Sequence, residues 1–451
     1  MKIDCLVAEI GSTTTTVHAF NVHDEHAFLG KGMAKTSVDT DVREGLNGAL
    51  EHLKNNLGAD TLDYREMFAS SSAAGGLRMT VSGLVYEMTV KAAKEAALNA
   101  GANLHLVTAG DLTTDDIERI ERIRPNIILV AGGTDYGEKR TAFDNLLKIE
   151  KMGLDIPLIY AGNVDNHYRI EKHFETSSQK RFLKIVENVY PRVDYLNIAP
   201  LRKAIYETFE EHIVHAPGMQ HIRDLVGGTI VPTPGAVMEA TMLLHEDVGH
   251  LVAIDVGGAT TDVHSMTEPS DEFKAYAEGE PKEKRTVEGD LGVYVNRETV
   301  MKMIDRKTLL ADLGVDEATL DALSEDDAYI PKTDQARDFI RALAGVCMCK
   351  AMDRHAGDLK KVYTTGGRKM IPEGRDLTQV GTVILTGGAL VHLDGTETLL
   401  RRHLKNRPGK LFPKEGVRIV KDEQYLMSSI GVLSFTYPEA ALNIFRRSIG
   451  L

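Results

Sequence analysis

The sequence predicts an α/β protein with two lobes and a further α/β domain inserted into the first lobe. Two segments, AEIGSTTTTV (8–17) and AIDVGGATTDV (253–263), share one pattern. In each, an apolar strand ends in a carboxylate, a glycine turn rich in hydroxyls follows, and a second strand begins. Between them, from about residue 69 to 195, strands ending in glycine turns alternate with helices, which is typical of a parallel, doubly wound sheet.

Length and composition set the class. A chain of 451 residues is too long for one hydrophobic core and predicts several domains. Its net charge of -13 argues against nonspecific binding to nucleic acid. No run of apolar residues is long enough to span a membrane, and the N-terminus lacks the pattern of a secretion signal. We therefore expect a cytoplasmic protein, and its three cysteines suit a reducing compartment.

The first lobe is predicted to begin with three strands, at residues 3–9, 15–20 and 26–34. A helix from about Asp41 to Leu57 follows, with Thr40 or Asp41 as its cap. Residues 1–68 form the first part of this lobe.

The inserted domain is assigned to residues 69–195. Its strands are predicted at 104–111, 127–135 and 157–163, and its helices at 113–123 and 136–152. SSSAAGG (70–76) is read as either a flexible junction or an anion- or partner-binding loop.

The chain returns to the first lobe in residues 196–248, through a helix at about 201–215 and a turn with a connecting helix at 232–246. Residues 249–451 form the second lobe. They contain the strand–turn–strand at 250–266, helices across 291–352, a buried strand that meets Gly387-Gly388, and a last helix at about 427–435.

The turns carry the candidate chemistry. Glycine lets backbone N–H groups approach phosphate oxygens, hydroxyls add donors, and a nearby carboxylate holds Mg²⁺ through water. The candidate metal-binding carboxylates are Glu9 and Asp255. The candidate nucleotide-binding residues are Gly11, Ser12, Thr13, Thr14, Gly257, Gly258, Thr260, Thr261, Gly387 and Gly388.

The three turns, in this order, resemble those of the actin-like superfamily of sugar kinases, acetate kinases and heat-shock ATPases, which has a ribonuclease H-like fold. The resemblance implies a two-lobed actin-like ATPase that binds ATP and Mg²⁺. The first two turns would bind the phosphates from two domains, and the third would receive the adenosine.

Two positions depart from that pattern. Glu9 stands where the family usually has Asp, and Val231 stands where chaperone ATPases place a water-activating Glu. Hydrolysis is therefore expected to be slow or to use other carboxylates. Asp255, Glu288 and Asp290 are the catalytic candidates, with the alternative that Asp290 only caps a helix.

A closer resemblance covers nearly the whole chain. It is carried by EIGSTTT, SSSAAGGLRM, ILVAGGTDYG, PLIYAGN, PTPGAVMEA, IDVGGATTDV, RTVEGDLG and TVILTGGAL in succession. In these segments the chain resembles the glutamate-mutase-associated MutL family. That resemblance implies an ATP-driven chaperone that reactivates an adenosylcobalamin-dependent mutase, either glutamate (methylaspartate) mutase or a related aminomutase.

The Asp-x-His-x-x-Gly loop of base-off cobalamin proteins does not occur in the sequence, so any cobalamin is expected to be handled through the mutase subunits. The main alternative is a small-molecule kinase with the same ATP clamp, and an actin-like filament protein is another. A dehydratase activase is disfavoured because suitable cysteines are lacking. The sequence leaves the oligomeric state and the particular mutase open.

Overall fold

The computed structural model describes residues 2–37, 41–72, 76–213, 219–277, 280–326, 328, 331–364, 367–405 and 407–451. The chain forms two compact units. The first comprises Met1–Met238, Glu278–Pro281 and Phe435–Tyr437, and the second comprises Glu239–Ala277, Lys282–Ser434 and Pro438–Leu451. None of the helices described is both long enough and apolar enough to cross a membrane.

The first unit contains a five-stranded sheet built around the opening strand of the chain. Its strands are β1 (Lys2–Ile10), β2 (Thr14–Asn21), β3 (Ala27–Lys35), β4 (Asp63–Ser71) and β10 (Val231–Pro232). They lie in the order β10-β4-β1-β2-β3. The three strands β1, β2 and β3 are antiparallel in turn, whereas β4 pairs parallel to β1 and β10 parallel to β4. Eight of the nine residues of β1 are buried, as expected for a central apolar strand.

The second unit repeats this sheet. Its strands are β11 (Leu251–Val256), β12 (Thr261–Met266), β13 (Glu283–Glu288), β16 (Thr382–Thr386) and β17 (Arg418–Lys421). Their order is β13-β12-β11-β16-β17, with the same sequence of antiparallel and parallel pairs. The prediction of two lobes with equivalent strand–turn–strand openings is therefore confirmed, because β1 and β11 occupy the same place in sheets of the same topology.

The first unit also contains the inserted sheet, which is parallel throughout. Its strands are β5 (Leu77–Gly83), β6 (Ala102–Ala109), β7 (Ile127–Val130), β8 (Leu158–Tyr160) and β9 (Leu183–Ile185). The order is β6-β5-β7-β8-β9, a doubly wound arrangement. Its helices are α2 (Lys91–Asn99), α3 (Thr114–Ile123), α4 (Arg140–Lys151) and α5 (His167–Phe174). A π-helical turn, Tyr86–Val90, leads directly into α2.

The remaining helices complete the two units. In the first unit, α1 (Val42–Asn56) packs on β3 and is capped by Asp41, while Thr40 lies outside the described residues. The other helices are α6 (Ile198–Ile213), α7 (Met219–Leu225), α8 (Thr233–Val248), α9 (Arg297–Met301), α10 (Arg306–Leu313), α11 (Glu317–Glu325), α12 (Asp334–His355), α13 (Gly388–Val391), α14 (Thr396–Leu404), α15 (Met427–Ser434) and α16 (Pro438–Ser448). Helix α8 carries the chain from the first unit into the second. A separate hairpin is formed by β14 (Asp358–Thr364) and β15 (Gly367–Glu373).

Several local predictions differ from this architecture. The segment around residues 70–76 is not simply a junction, because Ser70 and Ser71 are buried in β4; residues 73–75 lie outside the described part of the chain. Strand β5, the hairpin β14–β15 and helix α16 were not predicted, so the helix at 427–435 is not the last. Helix α4 begins at Arg140 rather than at Tyr136, because Tyr136 has a left-handed backbone (φ 63°) that a helix does not allow.

Candidate functional site

The first candidate turn is a short loop between β1 and β2. The Gly11 N–H donates to the Thr14 carbonyl at 3.0 Å and closes the loop. The Ser12 hydroxyl donates to the Ser72 carbonyl at 3.1 Å, and the Thr36 N–H donates to the Thr13 carbonyl at 3.0 Å. These two bonds attach the loop to the residues that directly follow β3 and β4.

The second candidate turn repeats this loop between β11 and β12. The Gly257 N–H donates to the Thr260 carbonyl at 2.9 Å, the counterpart of the bond that closes the first turn. The carbonyl groups of Gly257 and Gly258 accept N–H groups from residues 293–295, and the Ala259 carbonyl accepts the Asn296 side-chain amide at 2.7 Å.

These bonds fix the direction of the donors in the second turn. In a trans peptide the C=O and the following N–H point in opposite directions. Because three consecutive carbonyl groups face residues 293–296, the N–H groups of Gly258, Ala259 and Thr260 point away from that segment. Within the described chain, the N–H groups of Gly258 and Ala259 donate to no protein acceptor. Successive N–H groups with one orientation form a concavity that binds anions such as phosphate.

Gly292 allows the supporting segment to approach the second turn. A Cβ atom at this position would lie 2.4 Å from the Ala259 carbonyl carbon and oxygen, well inside van der Waals contact. The backbone of Gly292 can therefore pack directly against the carbonyl side of the second turn, because glycine has no side chain.

The third turn lies directly against the carboxylate of the second turn. Strands β11 and β16 are parallel neighbours with Asp255 opposite Thr386, so their carboxyl ends meet at one edge of the sheet. Gly387 follows with φ 90°, and a Cβ atom there would lie 2.4 Å from Asp255 Oδ1 and 2.6 Å from the Val256 backbone nitrogen and oxygen. Gly388 then begins the short helix α13. The third turn therefore packs directly against the end of β11, where the second turn begins.

The side chain of Asp422 anchors the strand end that leads into the third turn. It is fully buried, accepts the Thr386 hydroxyl at 3.0 Å and accepts the N–H groups of Leu426 and Met427, both at 2.9 Å. A single carboxylate thus joins the end of β16 to the beginning of α15.

A buried ion pair lies beside Asp255. On β12, Asp262 stands opposite Asp255 in the register of the hairpin. Its Oδ1 accepts the Nε (2.8 Å) and Nη2 (2.6 Å) of Arg285, whose side chain is 1% exposed. The Thr260 hydroxyl lies 3.3 Å from the other oxygen of Asp262. The equivalent position in the first sheet is Thr16, opposite Glu9, so the first turn lacks this second carboxylate.

Glu288 and Asp290 lie together, but both are paired with Arg354. Arg354 Nη1 donates to Glu288 Oε2 at 2.5 Å and to Asp290 Oδ1 at 2.6 Å, and Nη2 donates to Asp290 Oδ2 at 2.8 Å. The hydrogen bonds and charge of Arg354 lower the pKa of Asp290. The alternative reading of Asp290 as a helix cap is wrong, because the next helix begins at Arg297 and Asn296 is its N-cap.

Two buried histidines lie at the same sheet, His264 on β12 and His355 on the helix that packs against it. His355 at the end of α12 is within 2.9 Å of the Thr286 hydroxyl and of the Ser265 hydroxyl. Burial holds the pKa of His355 well below its ordinary value, and burial with the nearby Arg285 does the same for His264. Both rings are therefore neutral at physiological pH.

The sequence-predicted residues thus fall into two sets. Glu9 and the turn from Gly11 to Thr14 lie in the first unit, where Glu9 is buried. The other candidates lie in the second unit. Among them, Thr261 is fully buried and its hydroxyl donates to the Leu291 carbonyl at 2.8 Å, so this side chain supports the turn from inside. In the described residues, no three His, Cys, Asp or Glu side chains are grouped so as to hold a metal by themselves.

Comparison with known sequences decides the family. A family described as MutL protein matches residues 5–449, nearly the whole chain. Protein MutL from Clostridium tetanomorphum is 34% identical over 464 aligned positions that cover 98% of each chain.

The chain belongs to the MutL family.

Solved structures with detectable similarity to this MutL-family chain are remote. A diol dehydratase-reactivating factor in its nucleotide-free form is 10% identical, with 97% of this chain and 100% of that chain covered and a TM-score of 0.35. Component A of (R)-2-hydroxyglutaryl-CoA dehydratase from Acidaminococcus fermentans is 10% identical, with 99% of both chains covered and a TM-score of 0.31. Xylulose kinase from Bifidobacterium adolescentis is 12% identical, with 98% and 93% covered and a TM-score of 0.31. The fold assignment for the MutL-family chain rests on its own sheets.

Sequence reasoning missed four positioning residues of the MutL-family site. Asp262 and Arg285 had a signal, since each is a charged residue within a β-strand pattern. Asp422 precedes an apolar helical run, as a capping residue does. The role of Gly292 had no signal in the sequence, because its contact is with the backbone of a distant turn.

Proposed function

We propose that this protein binds ATP with Mg²⁺, hydrolyses it slowly, and uses the nucleotide cycle to reactivate an adenosylcobalamin-dependent mutase. The proposal that the protein binds a nucleotide rests on the repeated turn. Gly11 to Thr14 and Gly257 to Thr260 close with the same hydrogen bond, at the same place in two sheets of the same order. One such loop is common in proteins, whereas two loops with the same closing bond at the same place in two equivalent sheets form a repeat, and each loop has the glycine and hydroxyl composition that suits a phosphate group.

The residues of the second unit suit the phosphate chain and its metal. The N–H groups of Gly258 and Ala259 would donate to phosphate oxygens. Asp255, half-buried at the end of β11, would hold Mg²⁺ through water, as Glu9 would from the first turn. Bound Mg²⁺ supplies charge neutralisation of the phosphates.

The third turn suits the nucleoside. The backbone at Gly387 and Gly388 has no side chain to block a flat ring or a ribose, and a Cβ atom at Gly388 would meet nothing within 4 Å. The Asp422 contacts hold this backbone in place.

Slow hydrolysis follows from the state of the candidate carboxylates. A general base is most effective when its pKa lies near the working pH. Arg354 lowers the pKa of Asp290, so Asp290 is a weak base in this conformation, and the hydrogen bond from Arg354 to Glu288 occupies one oxygen of that carboxylate. We propose that one of them activates water only when its bond to Arg354 is broken.

The mutase partner is proposed from family membership and from the ordered segments in which the sequence resembles glutamate-mutase-associated proteins. Nucleotide binding to turns from two units would favour one conformation over another, which is how a chaperone couples ATP to a partner. We expect the protein to act in the cytoplasm, because its three cysteines suit a reducing compartment.

Calorimetry with Mg²⁺ and ATP tests the nucleotide site. Asp255→Ala should abolish turnover and weaken Mg²⁺-ATP binding, because a metal-positioning charge is lost. Asp312→Ala, which removes an exposed carboxylate on α10, is the matched control and should behave as the wild type. Normal turnover by Asp255→Ala would show that the second turn has been misassigned.

Retention of purified mutase subunits on the immobilised protein tests the partner. Retention should differ between ADP and ATP, and release of damaged cobalamin should require ATP. Equal retention in both states would contradict the reactivase. Stoichiometric transfer of phosphate to a small acceptor would instead identify a kinase.

A further inference from the structure

The hairpin β14–β15 forms a two-stranded sheet of its own in the second unit. Its register decides which side chains share a face, because directly opposed residues in an antiparallel pair point to the same side. One face, here called the cationic face, carries three cross-strand pairs: Leu359 with Pro372, Lys361 with Met370, and Tyr363 with Arg368.

The outer part of the cationic face is exposed. Tyr363 is 75% exposed and Met370 is 42% exposed, and Lys361 and Arg368 are exposed beside them. The Arg368 guanidinium lies 5.6 Å from the centre of the Tyr363 ring. The six residues of this face include no carboxylate, whereas the opposite face carries the carboxylates Asp358 and Glu373 beside its two lysines, Lys360 and Lys369.

The composition of this face is that of a protein interface. Tyr, Met and Arg are enriched in interfaces, because a flat aromatic ring offers a large contact area for little lost freedom and a flexible thioether adapts its shape to the partner. An isolated two-stranded hairpin gains little stability from its own pairing, so exposed apolar residues on it bring no benefit to folding. They gain free energy only when a partner covers them.

We propose that the cationic face docks on an acidic surface of the partner mutase, an inference that rests on the proposed function. The chain has a net charge of -13, so a face with two cations and no carboxylate is a local reversal of sign. Such a reversal selects a negatively charged partner and steers its approach. A protein fits better than a nucleic acid or an anionic membrane, because the overall charge repels a polyanion and two cations bind few phosphates.

Charge reversal on the two faces of the hairpin tests the proposal. Binding of the purified mutase is measured by calorimetry for the wild type and three variants: Lys361→Glu with Arg368→Glu, Tyr363→Ala, and, as matched control, Lys360→Glu with Lys369→Glu. The control makes the same change of net charge on the same hairpin but on the opposite face. ATP turnover without the mutase should be unchanged in all variants, which verifies that they are folded.

The first two variants should raise the Kd for the mutase by about tenfold or more, and the control by less than about threefold. Added salt should weaken wild-type binding and have less effect on the double charge reversal. The docking proposal is refuted if both charge reversals weaken mutase binding equally, or if no variant changes it. Either result leaves the proposed function in place. A wild-type protein that binds no mutase in any nucleotide state would overturn both. Binding of duplex DNA or phosphatidylglycerol vesicles that depends on the cationic face, without mutase binding, would also overturn the proposal.

Discussion

A methyl group added at Gly387 should disturb the candidate site more than the same change one residue later. Gly387 has φ 90° and ψ 142°, a conformation that residues with a side chain rarely adopt. A Cβ atom would also stand 2.4 Å from the Asp255 carboxylate and 2.6 Å from the backbone of Val256, whereas ordinary contact begins at 3.4 Å. Either the Gly387 turn or the end of β11 must move.

The two effects give the magnitude. Backbone strain in this region costs about 1–3 kcal/mol. Overlap in a packed site costs about 1–3 kcal/mol more. Gly387→Ala should therefore destabilise the second unit by about 2–6 kcal/mol, which lowers its melting temperature by at least about 4 °C for a unit of this size. Because the overlap involves Asp255, ATP affinity in the presence of Mg²⁺ should fall about tenfold or more.

Gly388→Ala is the control. A Cβ atom there would meet no atom within 4 Å, and Gly388 opens helix α13, where alanine is favoured over glycine. Its melting temperature should equal or slightly exceed that of the wild type. Differential scanning calorimetry and titration with Mg²⁺-ATP give both readings. If the two variants melt and bind alike, the contact between the third turn and Asp255 is not as described.

Three further perturbations test the surroundings of the site. Arg285→Met should destabilise the second unit by about 3–5 kcal/mol, because it leaves the buried carboxylate of Asp262 without its cation. Adding Asp262→Asn to this variant should restore part of the lost stability, as measured by thermal unfolding. A double variant as unstable as the single variant would contradict the pairing. Arg354→Ala should raise the pKa of Asp290 and move the acid limb of the ATP-turnover profile to higher pH, whereas an unchanged profile would mean that Asp290 does not act as the base. Because His264 and His355 have folded-state pKa values below the unfolded value of about 6.5, the unfolded state binds more protons below that pH. The free energy of unfolding should therefore fall as pH drops from about 6.5 to 5, by at most about 1.4 kcal/mol per pH unit for each ring, and His355→Gln should reduce the slope measured by urea denaturation.

The local signals in the sequence were sufficient for the repeated turns. Apolar runs identified β1 and β11, and glycine with hydroxyls identified the loops that follow them, because both features depend on neighbours in the chain. The parallel character of the inserted sheet followed from the alternation of strand, glycine turn and helix. Strand β5 and the hairpin β14–β15 were not predicted, because polar and charged residues stand among their apolar ones without a clear period.

By itself, then, the sequence determined the alternation of strands and helices in the inserted domain, the two equivalent turns and the carboxylates that end their strands. Only the tertiary structure decided what those residues contact. Gly387 lies against Asp255 because parallel pairing of β11 and β16 brings two distant strand ends to one edge. Likewise, Arg354 pairs with both Glu288 and Asp290 because α12 ends beside β13. Such contacts depend on which strands pair and in what register, and no local pattern of residues encodes that.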